Sequence, residues 1–238
     1  MGGPGTAAPP EKPEAILERR FPGYRYGVVL ALLFATFVVM ASGVSGRWSQ
    51  LVIVALQGAT LFAALVASRS RRRTFHVMFV VVLSAFVGSL ASALADTSNS
   101  RGSSFLLNAL LVAIAPVIIG RALWRRAIVD VQTILGAICI YVLLGMLWAF
   151  VYQAMTALGS SQFFVQTSKA TSADSLYFSF VTLTTVGYGD LTPATGVGRS
   201  FAVLEALTGQ TYLVTIVSVL VSRLGRPRQR DNEGRDGG

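Results

Sequence analysis

The sequence predicts an all-α membrane protein with six transmembrane helices, plus one short helix that enters the membrane and turns back. Three observations predict it. Hydrophobic residues make up 53% of the 238 and charged ones only 13%, too few charges for a soluble globular domain. The apolar residues gather in runs close to the roughly twenty residues that a helix needs to cross a bilayer. Short arginine clusters punctuate the runs. A nucleic-acid surface would need a contiguous basic patch with interleaved aromatics, so the formal charge of +9 is read as membrane orientation, and no nucleic acid is expected as a partner.

Residues 1–25 read as a cytoplasmic N-terminal segment. Met1 to Pro13 is rich in Gly, Pro and Ala without apolar periodicity and is expected to be disordered. Glu14 to Arg20 suits an amphipathic turn at the membrane surface, where Arg19, Arg20 and Arg25 would meet anionic lipid headgroups.

A four-helix transmembrane unit is expected over 26–126. Its apolar runs are Tyr26 to Val44, Leu51 to Ala67, Phe75 to Ala95 and Phe105 to Leu123. Their connections are Ser45 to Ser49, a cluster holding Arg69, Arg71, Arg72 and Arg73, and a polar loop from Asp96 to Ser104. The first run, about nineteen residues, is longer than a secretory signal core and lacks its compact basic start, so it is read as a span. Small residues in the third run allow neighbouring helices to approach closely in lipid. His76, at its edge, is read as a polar boundary residue in preference to a pH sensor. Pro116 should kink the fourth helix.

Arg121, Arg125 and Arg126 close that fourth run, but Phe105 to Gly120 holds no charge, and the second and third runs hold no Asp or Glu. Each charge moved across the membrane field is worth about 2.3 kcal/mol per 100 mV. A helix without an arginine ladder therefore gives voltage little purchase.

A second unit is expected over 127–222. It opens with the long run Ile128 to Ala157, where Gly136 and Gly145 permit close helix contacts and Trp148 and Tyr152 suit the outer interface. The single cysteine, Cys139, lies within this run as a small buried side chain, so neither an intrachain disulfide nor a cysteine metal cluster is available. A polar connection, Gly159 to Ser172, leads to a short helix over Ser172 to Thr184. Thr171 or Ser172 can cap its start, with Asp174 in the first turn where the helix dipole favours negative charge. The sixth run is Val197 to Ser222. Residues 223–238 form a short basic cytoplasmic tail, too short for a nucleotide- or calcium-binding domain, so regulation of that kind is expected to need a separate polypeptide.

Between the short helix and the sixth run lies Thr184-Thr185-Val186-Gly187-Tyr188-Gly189-Asp190. Stripping water from a monovalent cation requires oxygen dipoles at close, regular spacing along its path, and the backbone from Thr185 to Gly189 can supply them. Successive carbonyls of an ordinary strand point to opposite sides. Aiming several at one axis needs unusual backbone angles, which Gly187 and Gly189 tolerate. Val186 and Tyr188 would pack behind the loop, and the Thr185 hydroxyl would add oxygens at its inner end. Irregular backbone at membrane depth is tolerated only where protein buries it or it lines a water-filled cavity, as in a re-entrant loop between two spans.

This stretch closely resembles the signature filter of potassium channels, and Asp190, Leu191, Thr192 and Pro193 continue the resemblance. It is specific from about Val131 to Ser222; before that it rests on helix count. The resemblance implies K+ ions bound at Thr185, Val186, Gly187 and Tyr188, with Gly189 completing the filter. It also implies a homotetramer, since four such loops line the family's pore. K+ would be the sole small-molecule substrate, flowing passively, with no cofactor. An enzyme is disfavoured, because no metal-ligand cluster, nucleophile–base set or nucleotide loop stands out. The alternatives are a weakly selective cation channel and a non-conducting sensor or scaffold subunit.

Thr184, Asp190 and Glu205 are the expected filter supports. Some relatives pair this aspartate with an acidic residue four positions before the filter threonine; here that position is Val181. Glu205, ionisable within a span, is expected near the short helix or the filter's back wall. Gly209 falls where many relatives have a hinge, and it reads as a hinge in preference to a close-packing site. By resemblance Gln210, Leu213, Val217 and Val221 would face the inner vestibule and hold the gate. A rival stripe of Thr208, Thr211, Thr215, Ser218 and Ser222 shares another face. With both termini cytoplasmic, sixteen of the twenty basic residues lie inside, leaving Arg47, Arg101, Lys169 and Arg199 outside. A multi-pass protein of the cell membrane follows, with Tyr188, Gly189 and Asp190 at the extracellular mouth.

Overall fold

The computed structural model describes residues 25–43, 47–67, 83–84, 87–88, 98–124 and 130–224. Their regular structure is helical: α1 (Arg25–Ala41), α2 (Arg47–Ala67), α3 (Ser98–Trp124), α4 (Val131–Leu158), α5 (Ser172–Leu183) and α6 (Gly196–Leu224). Among these, Ser49–Ala67, Gly102–Trp124, Val131–Leu158 and Gly196–Ser222 are long and apolar enough to cross a membrane, while the apolar part of α1, Tyr26–Ala41, is shorter. The chain is thus an all-helical membrane protein among its described residues. The N-terminal segment through Tyr24, most of the third apolar run with His76, the cluster Arg69 to Arg73, Arg125, Arg126 and the tail beyond Leu224 lie outside them.

Three boundaries differ from the hydropathy reading. Helix α2 starts at Arg47, inside the expected connection. Helix α3 starts at Ser98, so much of the expected polar loop is helical. A run of apolar residues measures what lipid accepts, whereas a helix extends into polar sequence as long as its own backbone bonds continue. The third difference runs the other way. Asp130 stands inside the expected fifth run, yet it caps α4 from outside: its Oδ1 accepts from the Thr133 amide at 2.9 Å, and the Thr133 hydroxyl reaches back to the Asp130 amide.

Helices α1 to α4 share one core, against which α6 packs the partly buried Tyr212 and Ile216. Tyr26, Leu33 and Met40 of α1, Leu61 of α2, Leu111 and Ile119 of α3, and Leu143 and Met146 of α4 are all buried in it. Small residues on α4 set how near its neighbours come. A Cβ at Gly136 would meet Leu123 of α3 at 2.8 Å, and one at Gly145 would meet the Phe180 ring of α5 at 2.6 Å. Gly145 thereby lets α5 lie flat against α4.

Helix α5 has a complete cap. Thr171 Oγ1 accepts from the Asp174 amide at 3.1 Å, while Asp174 Oδ2 accepts from the Thr171 amide at 2.8 Å. The connection before it is less polar than its composition suggests. Phe163 and Phe164 are buried against Tyr152 and Phe178, and residues 163–165 pair with 192–194 through Val165 N to Thr192 O (3.0 Å) and Ala194 N to Phe163 O (2.8 Å). This short pairing ties the segment before α5 to the segment after the 184–190 loop, fixing both ends of the re-entrant unit.

Candidate functional site

How the loop leaves α5 decides where its oxygens go. The amides of Val186 and Gly187 both donate to the Val181 carbonyl, at 3.0 and 3.2 Å. No described peptide bond is cis. A trans peptide points its N–H opposite to the C=O before it, so the Thr185 and Val186 carbonyls face away from α5. The φ angles then alternate: Thr185 (59°), Gly187 (57°) and Gly189 (79°) are left-handed, while Val186 and Tyr188 between them are not. Alternation of this kind turns successive peptide dipoles to one side instead of opposite sides.

Two of the three left-handed positions are glycines, which adopt that backbone freely. Thr185 is different. A β-branched residue at positive φ is an outlier, so its surroundings must hold it there. Its amide donates to Thr182 O at 2.9 Å, its hydroxyl donates to Thr184 O at 2.7 Å, and that same Oγ1 accepts from Gln210 Nε2 at 3.1 Å. Gln210 of α6 is thereby seated against the inner end of the loop. Thr184 caps α5, its hydroxyl donating to Phe180 O at 2.6 Å.

The outer end is braced from α5. Tyr177 Oη donates to Asp190 Oδ2 at 2.7 Å, and Asp190 Oδ1 accepts from the Leu191 amide at 3.1 Å. The hydrogen bond to the carboxylate pushes the Tyr177 phenol up to about 12, so it remains a donor throughout the neutral range. The Tyr188 ring lies parallel to Tyr177 with centroids 6.5 Å apart. Tyr177 sits one helical turn before Val181, on the same face. The brace that Val181 cannot supply thus comes from a hydroxyl one turn earlier, and the i, i+4 spacing was the available signal for it.

Behind α5 lies Glu205, fully buried on α6. Tyr152 Oη of α4 donates to its Oε2 at 2.6 Å, and Ser179 Oγ of α5 lies 2.5 Å from its Oε1. Ser179 Oγ is also 2.7 Å from the Gly145 carbonyl of α4. The Tyr152 ring in turn packs against Trp148, Phe163 and Phe178, and Trp148 against Phe201. Ser179 was not singled out from the sequence, where one more serine in an apolar helix carries no distinguishing mark.

Gly209 is buried against the end of α5: an added Cβ would collide with the Leu183 carbonyl oxygen and lie 2.9 Å from Leu183 Cδ1. The packing at this position leaves no room for a side chain. Leu213, Val217 and Val221 lie farther along α6 and are exposed in the single chain. The rival stripe is also largely exposed, and its hydroxyls bond their own helix, Thr208 to Leu204 O and Ser218 to Val214 O, each at 2.7 Å.

Residues 136–226 match the family model described as "Ion channel". The chain is 31% identical to potassium voltage-gated channel subfamily A member 7 of Homo sapiens over 100 residues, 40% of this chain and 22% of that one. It is 46% identical over 50 residues to two pore potassium channel c of Oryza sativa subsp. japonica, covering 21% and 11%. With protein LctB of Geobacillus stearothermophilus it shares 40% identity over 77 residues, covering 30% and 57%. The chain therefore spans between 11% and 57% of the length of these relatives. Over residues 136–226, which include this loop, the chain is similar to ion channels, and the named relatives include potassium channels. The matched family is one of channels, not enzymes.

Proposed function

We propose that the chain forms a potassium-selective channel, a homotetramer with six spanning helices and one re-entrant loop per subunit. One observation carries the reading: the Thr185 and Val186 carbonyls face away from α5 while left-handed φ recurs at 185, 187 and 189. Four such loops around an axis would stack rings of oxygens that replace the hydration shell of K+. Thr185, Val186, Gly187, Tyr188 and Gly189 coordinate the ion; Thr184, Asp190 and Glu205 hold the loop's frame; and Gln210, with Leu213, Val217 and Val221 below it, lines the inner vestibule. The protein sits in the cell membrane with both termini in the cytoplasm, as the arginine distribution favours. K+ moves passively down its gradient.

The test is the reversal potential of purified protein in a planar bilayer with potassium on one side and sodium on the other, beside a Gly187→Asp control. Reversal near the potassium equilibrium value, lost in the control, is the expected outcome. Reversal near zero would instead describe a weakly selective pore. Absence of current alongside a correctly assembled tetramer would favour the non-conducting subunit.

A further inference from the structure

The oxygen atoms around Glu205 do not balance if its carboxyl is ionised. Ser179 carries one hydroxyl proton, yet its Oγ lies 2.5 Å from Glu205 Oε1 and 2.7 Å from the Gly145 carbonyl oxygen. A carboxylate and a carbonyl are both acceptors, so one of them would face the Ser179 lone pairs at hydrogen-bonding distance with no proton between. Nothing compensates a charge here either. Tyr152 from α4 and Ser179 from α5 are the groups bonded to the carboxyl, and among the described residues no Lys, Arg or His pairs with it. A fully buried, unpaired charge is expensive.

A carboxylic acid satisfies every atom. Oε1–H donates to Ser179 Oγ, Ser179 donates to Gly145 O, and Tyr152 donates to Oε2. The bonds then run in one direction from α6 through α5 to α4, with no donor idle. We propose that Glu205 acts as a neutral carboxylic acid that clamps α6 to α5 and α4, making it a positioning residue for the 185–189 loop. The clamp meets α5 at Ser179, two residues before Val181, whose carbonyl takes the Val186 and Gly187 amides. Displacement of α6 is thereby transmitted to the peptide that aims the loop's oxygens. The functional half of this inference rests on the channel reading; the protonation half does not.

The amide of Gln can donate through nitrogen and accept through oxygen, so Glu205→Gln copies a neutral acid and fails to copy a carboxylate. Two measurements on the full chain in lipid test the clamp. Infrared difference spectra of wild type against E205Q should show the carbonyl stretch of a protonated carboxylic acid, moved by deuterium exchange or by Ser179→Ala. In bilayers, E205Q should keep the wild-type potassium-to-sodium permeability ratio, while Glu205→Leu and Ser179→Ala should lower it by about tenfold, the equivalent of one lost hydrogen bond. Thermal midpoints recorded alongside separate loss of the clamp from loss of the fold, and Ser179→Ala serves where Glu205→Leu does not assemble. No carboxylic-acid band, or E205Q behaving like E205L, overturns the neutral acid. An unchanged ratio in both E205L and S179A overturns the positioning role. Should wild type carry no potassium current, the spectrum still decides the protonation half, which distinguishes that failure from failure of the channel reading.

Discussion

Backbone strain and a single phenol set the chemistry of the loop. Gly187 and Gly189 were legible in the sequence because only glycine takes left-handed φ without cost. Thr185 was not, since no sequence rule sends a β-branched residue to φ 59°; its amide bond to the Thr182 carbonyl and the tertiary bond it accepts from Gln210 hold it there, against strain of roughly 1–3 kcal/mol. Tyr177 was missed for a related reason. Its partner Asp190 is thirteen positions away in sequence, and the two meet only because the loop folds back along α5. The raised phenol gives a pH signature. The bond from Tyr177 is intact below the ordinary phenol value of 10.0 and is lost only as pH rises through about 12, because the folded state holds the proton more tightly. Potassium current should therefore stay level as external pH climbs from neutral to about 10, and Tyr177→Phe should lower sustained current at every pH in that range. Wild-type current that titrates at 10.0 would mean that Asp190 does not hold the phenol.

At the scale of helices, what lipid accepts and what a helix needs are separate questions. Hydropathy placed the cores of α1, α2, α3, α4 and α6 because a span must be apolar. It misplaced ends wherever a cap or a polar first turn decided them, as at Asp130 and Ser98. The capping box from Asp130 to Thr133 was readable as a motif, but it lay inside an apolar run and was absorbed into it. Gly209 shows the same division. A glycine within a span indicates either bending or close packing, and only the position of α5 separates the two. With the Leu183 carbonyl against it, Gly209→Ala should force α6 away from the end of α5. Overpacking of this kind costs about 1–3 kcal/mol. The expected result is a lowered thermal midpoint of the assembled protein together with weakened potassium selectivity. An alanine variant of wild-type stability, altered solely in how often it opens, would assign the glycine to bending instead.

For the whole molecule, the decisive groups are polar. Half of the most apolar stretch of α4 is buried within the single chain, but only 11% of the corresponding stretch of α6 is. Exposed apolar residues on α6 are no argument for assembly, because lipid tails accept them as well as protein does. The loop carbonyls are. Thr185 and Val186 turn their oxygens away from α5, and each unsatisfied backbone group costs several kcal/mol in hydrocarbon. A lone chain in a bilayer would leave them against lipid. Copies of the chain arranged head to tail around an axis, as proposed, would enclose the same oxygens in a water- and ion-filled path, and a closed ring would leave no loop uncovered. Native mass measurement from lipid nanodiscs should therefore give four times the 25.3 kDa of one chain. Val217→Cys on the exposed face of α6 should cross-link neighbouring subunits under oxidation, with the buried Cys139 silent. A stable monomer, or a dimer that closes no ring, would leave the loop's oxygens without an axis to share and would remove the ion path that the proposed function requires.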